Sequence, residues 1–279
     1  MPLFPDFERV YLNGEAPPEP SARWILLHHR AFVVRSEGRQ SSFPEGESPD
    51  AILDKTLSPL LLGRLDGIDY WAAELPDEAT LEQGWEAIDL RSLYGRISET
   101  EWFIAGYASQ VLYWHRTSGY CPVCGGPAGP VGAEWRRQCT NCGHERYPMV
   151  SPAVLALVHD GADRILLAHK PGWGARRSIL AGFVLPGESL EECVHREVLE
   201  ESGVRVTDVA YFNSQPWPFP HQLMIGFTSR FVSGEIVIDA EELEGAEWYD
   251  FRSLPPLPPP LSLSRRMIDA WAQARAALG

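Results

Sequence analysis

The hydrophobic positions of this chain follow strand spacing in some segments and helix spacing in others. Two apolar runs, AVLALVHD at 153–160 and RILLAHK at 164–170, have the length and the branched side chains of buried strands. Alanine, leucine and aromatic residues recur at three-to-four spacing over 99–117, and a serine-capped run of helix formers fills 262–279, so both segments predict helices. The proline-rich PPLPPP at 255–260 excludes a helix or a central strand just before the last helix.

The N-terminal part of the chain shows strand signals instead. Residues 24–34 and 51–75 mix β-branched and aromatic side chains with turn signals, which predicts a mainly β unit. Between them, the polar segment 35–50 contains glycine, proline and serine, and it predicts an exposed loop.

One further helix is predicted together with both of its ends. Over 190–202, three apolar residues fall on one face at about 100° per residue. They are Leu190, Val194 and Val198. A capping box precedes this stripe and a glycine stop follows it, formed by Ser189, Glu192 and Gly203.

The same helix places acidic side chains on or beside its packing face. Glu201 falls within the apolar stripe, Glu197 lies beside it, and Glu200 lies at its rim. Burying anions this close together is costly unless cations pair with them. The pattern therefore indicates either a Mg²⁺ or Mn²⁺ site for phosphate chemistry or a structural ion-pair network. Arg196 could pair with Glu188 and hold the preceding loop on the helix.

Composition narrows the class of protein. The 279 residues suffice for about two domains at roughly 150 residues each, and 44% hydrophobic with 22% charged residues is typical of a globular protein. No apolar run reaches the roughly 20 residues of a membrane span, and no signal peptide is apparent, so we expect a cytoplasmic protein without a membrane partner. The net charge of −14 opposes non-specific nucleic-acid binding, so a phosphate-handling site here must recruit metal cations.

Four of the five cysteines form two close pairs. Cys121 and Cys124 form the first pair, Cys139 and Cys142 form the second, and a glycine follows each. A doubled CxxC supplies four sulfurs for a tetrahedral ion and leaves no open position, which predicts structural Zn²⁺. Free core cysteines or a redox pair are the alternatives. Cys193, alone in the predicted helix, is expected to be a small core residue rather than a nucleophile.

The glutamate helix and the loop before it resemble a complete Nudix box. The residues at its fixed positions are Gly182, Glu188, Arg196, Glu197, Val198, Glu200, Glu201, Gly203 and Val204. The resemblance implies a Nudix hydrolase, which cuts a diphosphate joined to another moiety with divalent cations held by the box glutamates. It also implies an α/β/α sandwich with a mixed sheet.

Downstream of the box, SQPWPFP at 214–220 contains three prolines, which predicts a stiff, irregular loop that fixes Trp217 and Phe219. Loop packing alone would also account for these aromatics. With the cysteine pairs and Tyr147 ahead of the box, the loop is similar to the motif of NADH pyrophosphatases of the NudC type. That family usually has serine two residues after the last proline, where this chain has Gln222, which bears on how the far end of the substrate is held.

The resemblance implies roles for individual residues. The divalent metal ligands would be Glu197, Glu200, Glu201, Glu242 and the carbonyl of Ala181. The dinucleotide site would be lined by Phe183, Gln215, Pro216, Trp217, Pro218, Phe219, Pro220, His221 and Gln222. Tyr147 would reach this site from a partner subunit, and Ser264 would admit a phosphate or ribose. Among the catalytic glutamates Glu197, Glu200 and Glu201, the last is expected to assist deprotonation of the attacking water.

These inferences combine into an α+β protein with three domains. We expect an N-terminal NADH-pyrophosphatase-like domain at 1–115, a zinc ribbon at 116–148 and a Nudix hydrolase domain at 149–279, assembled as a homodimer. The expected reaction is metal-dependent hydrolysis of NADH or NAD to nicotinamide mononucleotide and AMP. Two alternatives stay open: removal of NAD caps from RNA 5′ ends by the same chemistry, and a non-catalytic zinc-ribbon module that senses nucleotides.

Overall fold

The structure is a computed structural model that describes residues 7–9, 21–46 and 59–277. The chain divides into two compact units, Met1–Met149 and Val150–Gly279. Within the described ranges, every helix is too short or too polar to cross a membrane.

A seven-stranded mixed sheet forms most of the first unit. Its strands are β1 (Glu8–Arg9), β2 (Arg23–His28), β3 (Ala31–Glu37), β4 (Gln40–Ser42), β5 (Leu60–Leu65), β6 (Ile68–Glu74) and β7 (Glu86–Ile88). Their order is β1-β5-β6-β2-β3-β4, with β7 paired to β3. Strands β2 and β6 run parallel and the other pairs antiparallel. The predicted mainly β character of this unit is confirmed.

The prediction of a loop over 35–50 is wrong for residues 35–42. Residues 35–37 belong to β3, and they pair with β4 in a hairpin that turns at Gly38 with φ +63°. Strand β4 lies at the edge of the sheet, where polar side chains meet solvent, so composition did not distinguish this hairpin from a loop. Residues 47–58, including the start of the predicted β segment at 51–75, lie outside the described residues.

Two helices follow the sheet. They are α1 (Leu90–Leu93) and α2 (Glu99–Thr117), and the second has the predicted bounds. Ser98 and Glu101 form a capping box at the start of α2, which satisfies backbone N–H groups that have no partner inside the helix. The buried Trp102 indole donates to the Leu90 carbonyl at 2.6 Å and so ties the two helices together.

A small ribbon closes the first unit. It contains a short 3₁₀ turn at Ala133–Trp135 and the antiparallel strands β8 (Arg137–Gln138) and β9 (Glu145–Arg146). Its four cysteine sulfurs all lie within 4.8 Å of one another. The Sγ atoms of Cys121 and Cys142 are 3.7 Å apart, and those of Cys124 and Cys139 are 3.5 Å apart. A tetrahedral ion with bonds of about 2.3 Å to sulfur has edges of about 3.8 Å, so this spacing fits one Zn²⁺.

Backbone amides favour thiolates in the ribbon. The N–H groups of Val123 and Asn141 donate to the Sγ atoms of Cys121 and Cys139, each at 3.4 Å. The backbone N–H groups of Cys142 and Asn141 lower the pKa of Cys139 to about 6. Since the thiolate is the form that binds metal, the local backbone favours the metal-binding form of Cys139.

The second unit is a mixed six-stranded sheet with two helices. Its elements are β10 (Ser151–His159), β11 (Arg164–His169), β12 (Leu180–Phe183), α3 (Leu190–Ser202), β13 (Arg205–Trp217), β14 (Gln222–Ser233), β15 (Gly245–Asp250) and α4 (Leu263–Ala276). The strand order is β13-β14-β10-β11-β15, with β12 paired to β10. Only the β10–β14 pair is parallel among the paired strands of this sheet.

Successive side chains of β10 point to opposite faces of the sheet. Val154, Ala156 and Val158 pack in a core with α3, which contributes Cys193, Val194 and Val198. Leu155 and Leu157 point the other way, into a core with Leu263, Met267 and Ile268 of α4. One helix therefore covers each face, and the expected α/β/α sandwich is confirmed. Cys193 is fully buried, as a core residue should be.

The prediction that SQPWPFP is irregular throughout is wrong. Residues 214–217 form the end of β13, and Pro216 pairs with Leu223 of β14. Strand β13 lies at the edge of the sheet and pairs with β14 alone, so a proline there removes no bond from the interior of the ladder. Only 218–221 form the turn between these strands.

Gln215 joins β13 to the start of α4. Its side chain is 1% exposed, its Nε2 donates to the Leu261 carbonyl at 2.9 Å, and its Oε1 accepts from the Leu263 N–H at 2.7 Å. Both ends of the amide are therefore used to hold the segment that leads into the helix.

We expect Gln215→Ala to destabilise the second unit by about 2–6 kcal/mol, because a buried carbonyl and a buried N–H lose their partners at about 1–3 kcal/mol each. Urea unfolding followed by tryptophan fluorescence measures the change. Gln273→Ala, at an exposed position of α4, is the matched control and should change stability by less than about 0.5 kcal/mol. Equal behaviour of the two variants would contradict this assignment.

The ribbon geometry predicts that the parent protein binds about one zinc ion per chain and that Cys139→Ser loses it, because a serine hydroxyl does not replace a thiolate ligand. Metal analysis of the purified proteins measures this loss. Cys193→Ser changes a cysteine outside the cluster and should keep its zinc. Zinc retained by Cys139→Ser, or lost from Cys193→Ser, is the result that contradicts the prediction.

Candidate functional site

Helix α3 has the predicted bounds and the predicted burial of its acids. The capping box of Ser189 and Glu192 starts it, and Gly203 ends it with φ 73°, a left-handed conformation that glycine adopts without strain. Glu197 is 8% exposed and Glu201 is 1% exposed. Glu200 faces solvent, as expected for a residue at the rim.

Gly182 makes room for the Glu197 carboxylate. A Cβ atom at position 182 would lie 1.8 Å from Glu197 Cδ, so any other residue would push this carboxylate away from β12. The glycine at the start of the box thus lets an acidic side chain of α3 lie directly against a strand backbone.

Glu201 is held from two sides. Its Oε2 accepts from the Ala181 N–H at 3.2 Å, and its Oε1 accepts from the Lys170 ammonium at 2.8 Å. A strand residue directs its N–H and C=O to the same edge, so the Ala181 carbonyl also faces the carboxylates. The same ammonium lies 3.7 Å from Glu242 Oε2. The turn that carries Glu242 is tied to α3 because the Asp239 N–H donates to the Glu201 carbonyl at 3.3 Å.

Arg196 connects the preceding loop to the helix, as predicted. Its Nε and Nη2 donate to the two Glu188 oxygens at 2.7 and 2.9 Å, a bidentate pair. Its Nη1 donates to Glu197 at 2.8 Å and to Glu200 at 2.9 Å, and Nη2 also donates to the Phe183 carbonyl at 2.9 Å. One guanidinium therefore fixes three carboxylates and the end of β12.

Negative charge exceeds positive charge in this cluster. Five carboxylates, at positions 188, 197, 200, 201 and 242, pair with the two cations Arg196 and Lys170, which leaves a formal charge of −3. Burial raises the pKa of Glu197 and of Glu201 above the ordinary value, because desolvation disfavours their charged forms. An added cation would stabilise those charged forms.

The donor set suits a hard divalent cation. All the donors are oxygens, two of the carboxylates are buried, and the space that Gly182 leaves open lets Glu197 lie against β12. The carboxylates are more widely spread than the cysteines, which in the described parts of the chain are the one group of three or more ligating side chains with all donor atoms within 4.8 Å. The Arg196 guanidinium contacts three of these carboxylates, and the Lys170 ammonium contacts the other two.

A cavity of about 440 Å³ adjoins these groups. Its lining consists of Ala153, Lys170, Ala181, Gly182, Phe183, Leu185, Glu197, Gln222, Met224 and Glu242. Strand register brings three of the lining residues together. Phe183 pairs with Ala153, and Ala153 pairs with Met224, so the three form one row across β12, β10 and β14. The cavity therefore has a charged side and an aromatic, apolar side, and the half-exposed Phe183 ring lies on the latter.

The structure brings together some of the predicted site residues. Of those expected to bind metal or substrate, five line the cavity: Ala181, Phe183, Glu197, Gln222 and Glu242. Trp217 pairs with Gln222 across the hairpin and packs edge-on against Phe219 with ring centroids 5.1 Å apart. Nδ1 of His221 forms a hydrogen bond of 3.2 Å with the Ser151 hydroxyl, in which the tautomer of the ring decides the donor.

Other predicted residues lie outside the cavity lining. Gln215 uses its amide within the fold, and the buried Ser264 hydroxyl contacts the Ser262 hydroxyl at 3.1 Å. Glu200 and Glu201 contact the cations of the cluster without lining the cavity. Tyr147 belongs to the first unit, where it is half exposed and donates to Glu145 at 3.3 Å.

Sequence reasoning missed Lys170 and the apolar lining at Ala153, Leu185 and Met224. The strand pattern predicted β11 but gave the lysine just after it no role. The available signal was a lone cation at the end of an apolar strand, shortly before a segment rich in glutamate.

Comparisons with known proteins cover nearly the whole chain. A NUDIX domain model matches residues 149–272, a model of the NADH pyrophosphatase-like rudimentary NUDIX domain matches 21–114, and a model of the NADH pyrophosphatase zinc ribbon domain matches 116–147. A solved NUDIX hydrolase from Nitrosomonas europaea is 18% identical, with a TM-score of 0.49, over 57% of this chain and 92% of that one.

Curated relatives extend the similarity across all three segments. A protein of Pseudomonas aeruginosa named NAD-capped RNA hydrolase NudC is 40% identical over 260 residues, which cover 91% of this chain and 90% of the relative. A protein of Deinococcus radiodurans with the same name is 38% identical over 242 residues, 85% of each chain. With a complete box on a buried helix, a four-cysteine ribbon and this extended similarity, the chain belongs to the NADH pyrophosphatase (NudC-type) family of Nudix hydrolases.

Proposed function

We propose that this protein hydrolyses the diphosphate bond of NADH and NAD to give nicotinamide mononucleotide and AMP. The observation that carries the proposal is the pair of buried carboxylates, Glu197 and Glu201, beside a cavity with an aromatic, apolar side. A dinucleotide matches both sides of this cavity. Its anionic diphosphate needs cations, which the charged side can hold, and its flat rings need an apolar surface. Every glutamate of the box is present, which favours catalysis over a module that only senses nucleotides.

The metal would be Mg²⁺ or Mn²⁺, held by Glu197, Glu200, Glu201, Glu242 and the Ala181 carbonyl. Oxygen ligands and room for water favour these ions. When bound, such an ion supplies Lewis acidity for the attacking water and neutralises charge on the departing phosphate. Structural Zn²⁺ would be confined to the cysteine ribbon, where the ligands are sulfur.

We assign to Glu201 the transfer of a proton from the attacking water, a role that the family resemblance supports. Its burial raises its pKa, which brings its proton affinity closer to that of a base working near neutral pH. Without metal, the Ala181 N–H and the Lys170 ammonium hold its two oxygens. In the reaction, water adds to one phosphorus, the bridging P–O bond breaks, and each mononucleotide leaves with one phosphate.

Substrate orientation follows from the two sides of the cavity. Phe183, half exposed, offers a ring face for stacking, with Leu185 and Met224 as apolar neighbours. Gln222 can hydrogen-bond a carboxamide or a base edge from the same side. Trp217 and Phe219, packed on each other beside Gln222, would add aromatic surface next to that end of the cavity. Gln215 would support the site by holding the turn before Ser264.

Removal of NAD caps from RNA is the second candidate, and the name carried by the curated relatives favours it. The chemistry is identical, because the scissile diphosphate has the same two neighbours and only the adenosine end is extended. Arg136 in the ribbon is a cation that an RNA strand could contact, although it already pairs with Glu145 at 2.8 Å.

We also propose a homodimer in which Tyr147 of one subunit reaches the dinucleotide site of the other. The family resemblance supports this assignment, and the 47% exposure of Tyr147 leaves its ring available for contact.

Glu201→Gln should lower kcat for NADH hydrolysis by about 10²–10⁴-fold, because an amide keeps the shape but accepts no proton and binds a cation weakly. Initial rates with Mg²⁺ and with Mn²⁺ measure the loss, and circular dichroism and zinc content verify folding. Glu191→Gln, an exposed glutamate in the first turn of the same helix, is the matched control and should retain parental activity. A folded Glu201→Gln protein with parental activity would falsify the assignment.

Salt dependence should separate the two candidate substrates. If the RNA body contacts the protein, kcat/KM for NAD-capped RNA should fall steeply between about 50 and 200 mM salt, because each phosphate contact releases counterions. The value for NADH should fall far less, since only its diphosphate is charged. Parallel salt profiles would indicate that the protein holds the cap alone, and absence of turnover on both substrates would count against the proposed reaction.

A further inference from the structure

Lys170 occupies the position between two expected metal ligands. It follows directly after β11 and points its ammonium at Glu201 Oε1, 2.8 Å away, and at Glu242 Oε2, 3.7 Å away. The lysine side chain is 28% exposed, while the Glu201 side chain is 2% exposed. The same lysine lines the cavity, so the cavity gives it a place to move.

Glu201 depends on this lysine for its charge balance. Arg196 pairs with Glu188, Glu197 and Glu200, and in the described parts of the chain the ion pair of Glu201 is with Lys170. Removing one partner of a buried ion pair is strongly destabilising, because the remaining charge stays desolvated without compensation. Without the lysine, the Glu201 carboxylate would keep its hydrogen bond from the Ala181 N–H.

A divalent cation at these carboxylates would meet the ammonium. Both cations are attracted to the same oxygens, and two positive charges a few ångströms apart repel each other. Lysine carries its charge on a flexible four-carbon chain, so it can withdraw toward the open cavity while the carboxylates stay in place.

We propose that Lys170 is a built-in competitor of the catalytic divalent cation: it holds Glu201 and Glu242 when the metal is absent and weakens metal binding to both. The proposal rests on the carboxylate metal site of the proposed function. Lys170 is thus a positioning residue, which keeps the metal-free site in its folded arrangement and sets the metal concentration at which the site fills.

The test is Lys170→Met in the full-length, zinc-loaded protein, which keeps the length of the side chain and removes its charge. Mn²⁺ binding followed by electron paramagnetic resonance should become about tenfold tighter or more, because the competing cation is gone. Without Mg²⁺ or Mn²⁺, Tm should fall by several degrees relative to the parent. Saturating Mn²⁺ should reduce that difference, since the metal replaces the missing charge.

Two further variants make the result specific. Lys170→Arg keeps the cation and should stay near the parent in both measurements. Arg164→Met, at the start of the same strand, removes a surface ion pair with Asp160 and should leave Mn²⁺ affinity unchanged. If Lys170→Met does not fold, Lys170→Gln replaces it in the same measurements.

Tighter Mn²⁺ binding together with a lower metal-free Tm supports the proposal. Unchanged or weaker Mn²⁺ binding overturns it, even with a lower Tm, because the lysine would then act only as a structural partner. An unchanged metal-free Tm overturns it as well. Neither measurement uses turnover, so this result is independent of whether NADH is the substrate.

Discussion

The burial of two carboxylates on the packing face of α3 is the constraint on which the candidate site depends. Glu197 and Glu201 occupy positions where apolar residues would pack without a desolvation cost. Their neighbours compensate for this cost in different ways. Gly182 has no side chain and so leaves room for Glu197, and Arg196 supplies a positive charge to the same carboxylate. The Ala181 N–H donates a hydrogen bond to Glu201. A helix selected for stability alone would not need these arrangements, so they indicate a site kept for its chemistry.

Local signals made α3 predictable from the sequence. Its capping box, its glycine stop and its apolar stripe all lie within fifteen residues, and helical geometry then decides which glutamates point inward. The cysteine ribbon was equally predictable, because ligand identity and spacing carry the signal. The two sheets and the sandwich followed less directly, from short apolar runs whose pairing the sequence alone does not specify.

The errors share a physical cause, which is that context outside the segment decided the outcome. Pro216 was expected to break regular structure, but its strand lies at an edge where the missing N–H does no harm. Gln215 was expected to face substrate, yet its amide satisfies two backbone groups 46 and 48 residues away. Lys170 had no predicted role because its partner Glu201 is 31 residues away, and no local pattern records such a pairing.

The overall charge of the protein and the charge of its site act over different distances. At physiological salt, exposed charges are largely screened beyond about 8 Å, so most of the net −14 is not felt inside the cavity. A dinucleotide bound there would meet the local groups: Lys170, Arg196 and the recruited metal. An RNA body would extend past this range and meet a protein of net negative charge, which offers it little overall attraction. The electrostatics of the described site therefore favour recognition through the diphosphate and its two nucleosides, with any longer strand adding little to binding.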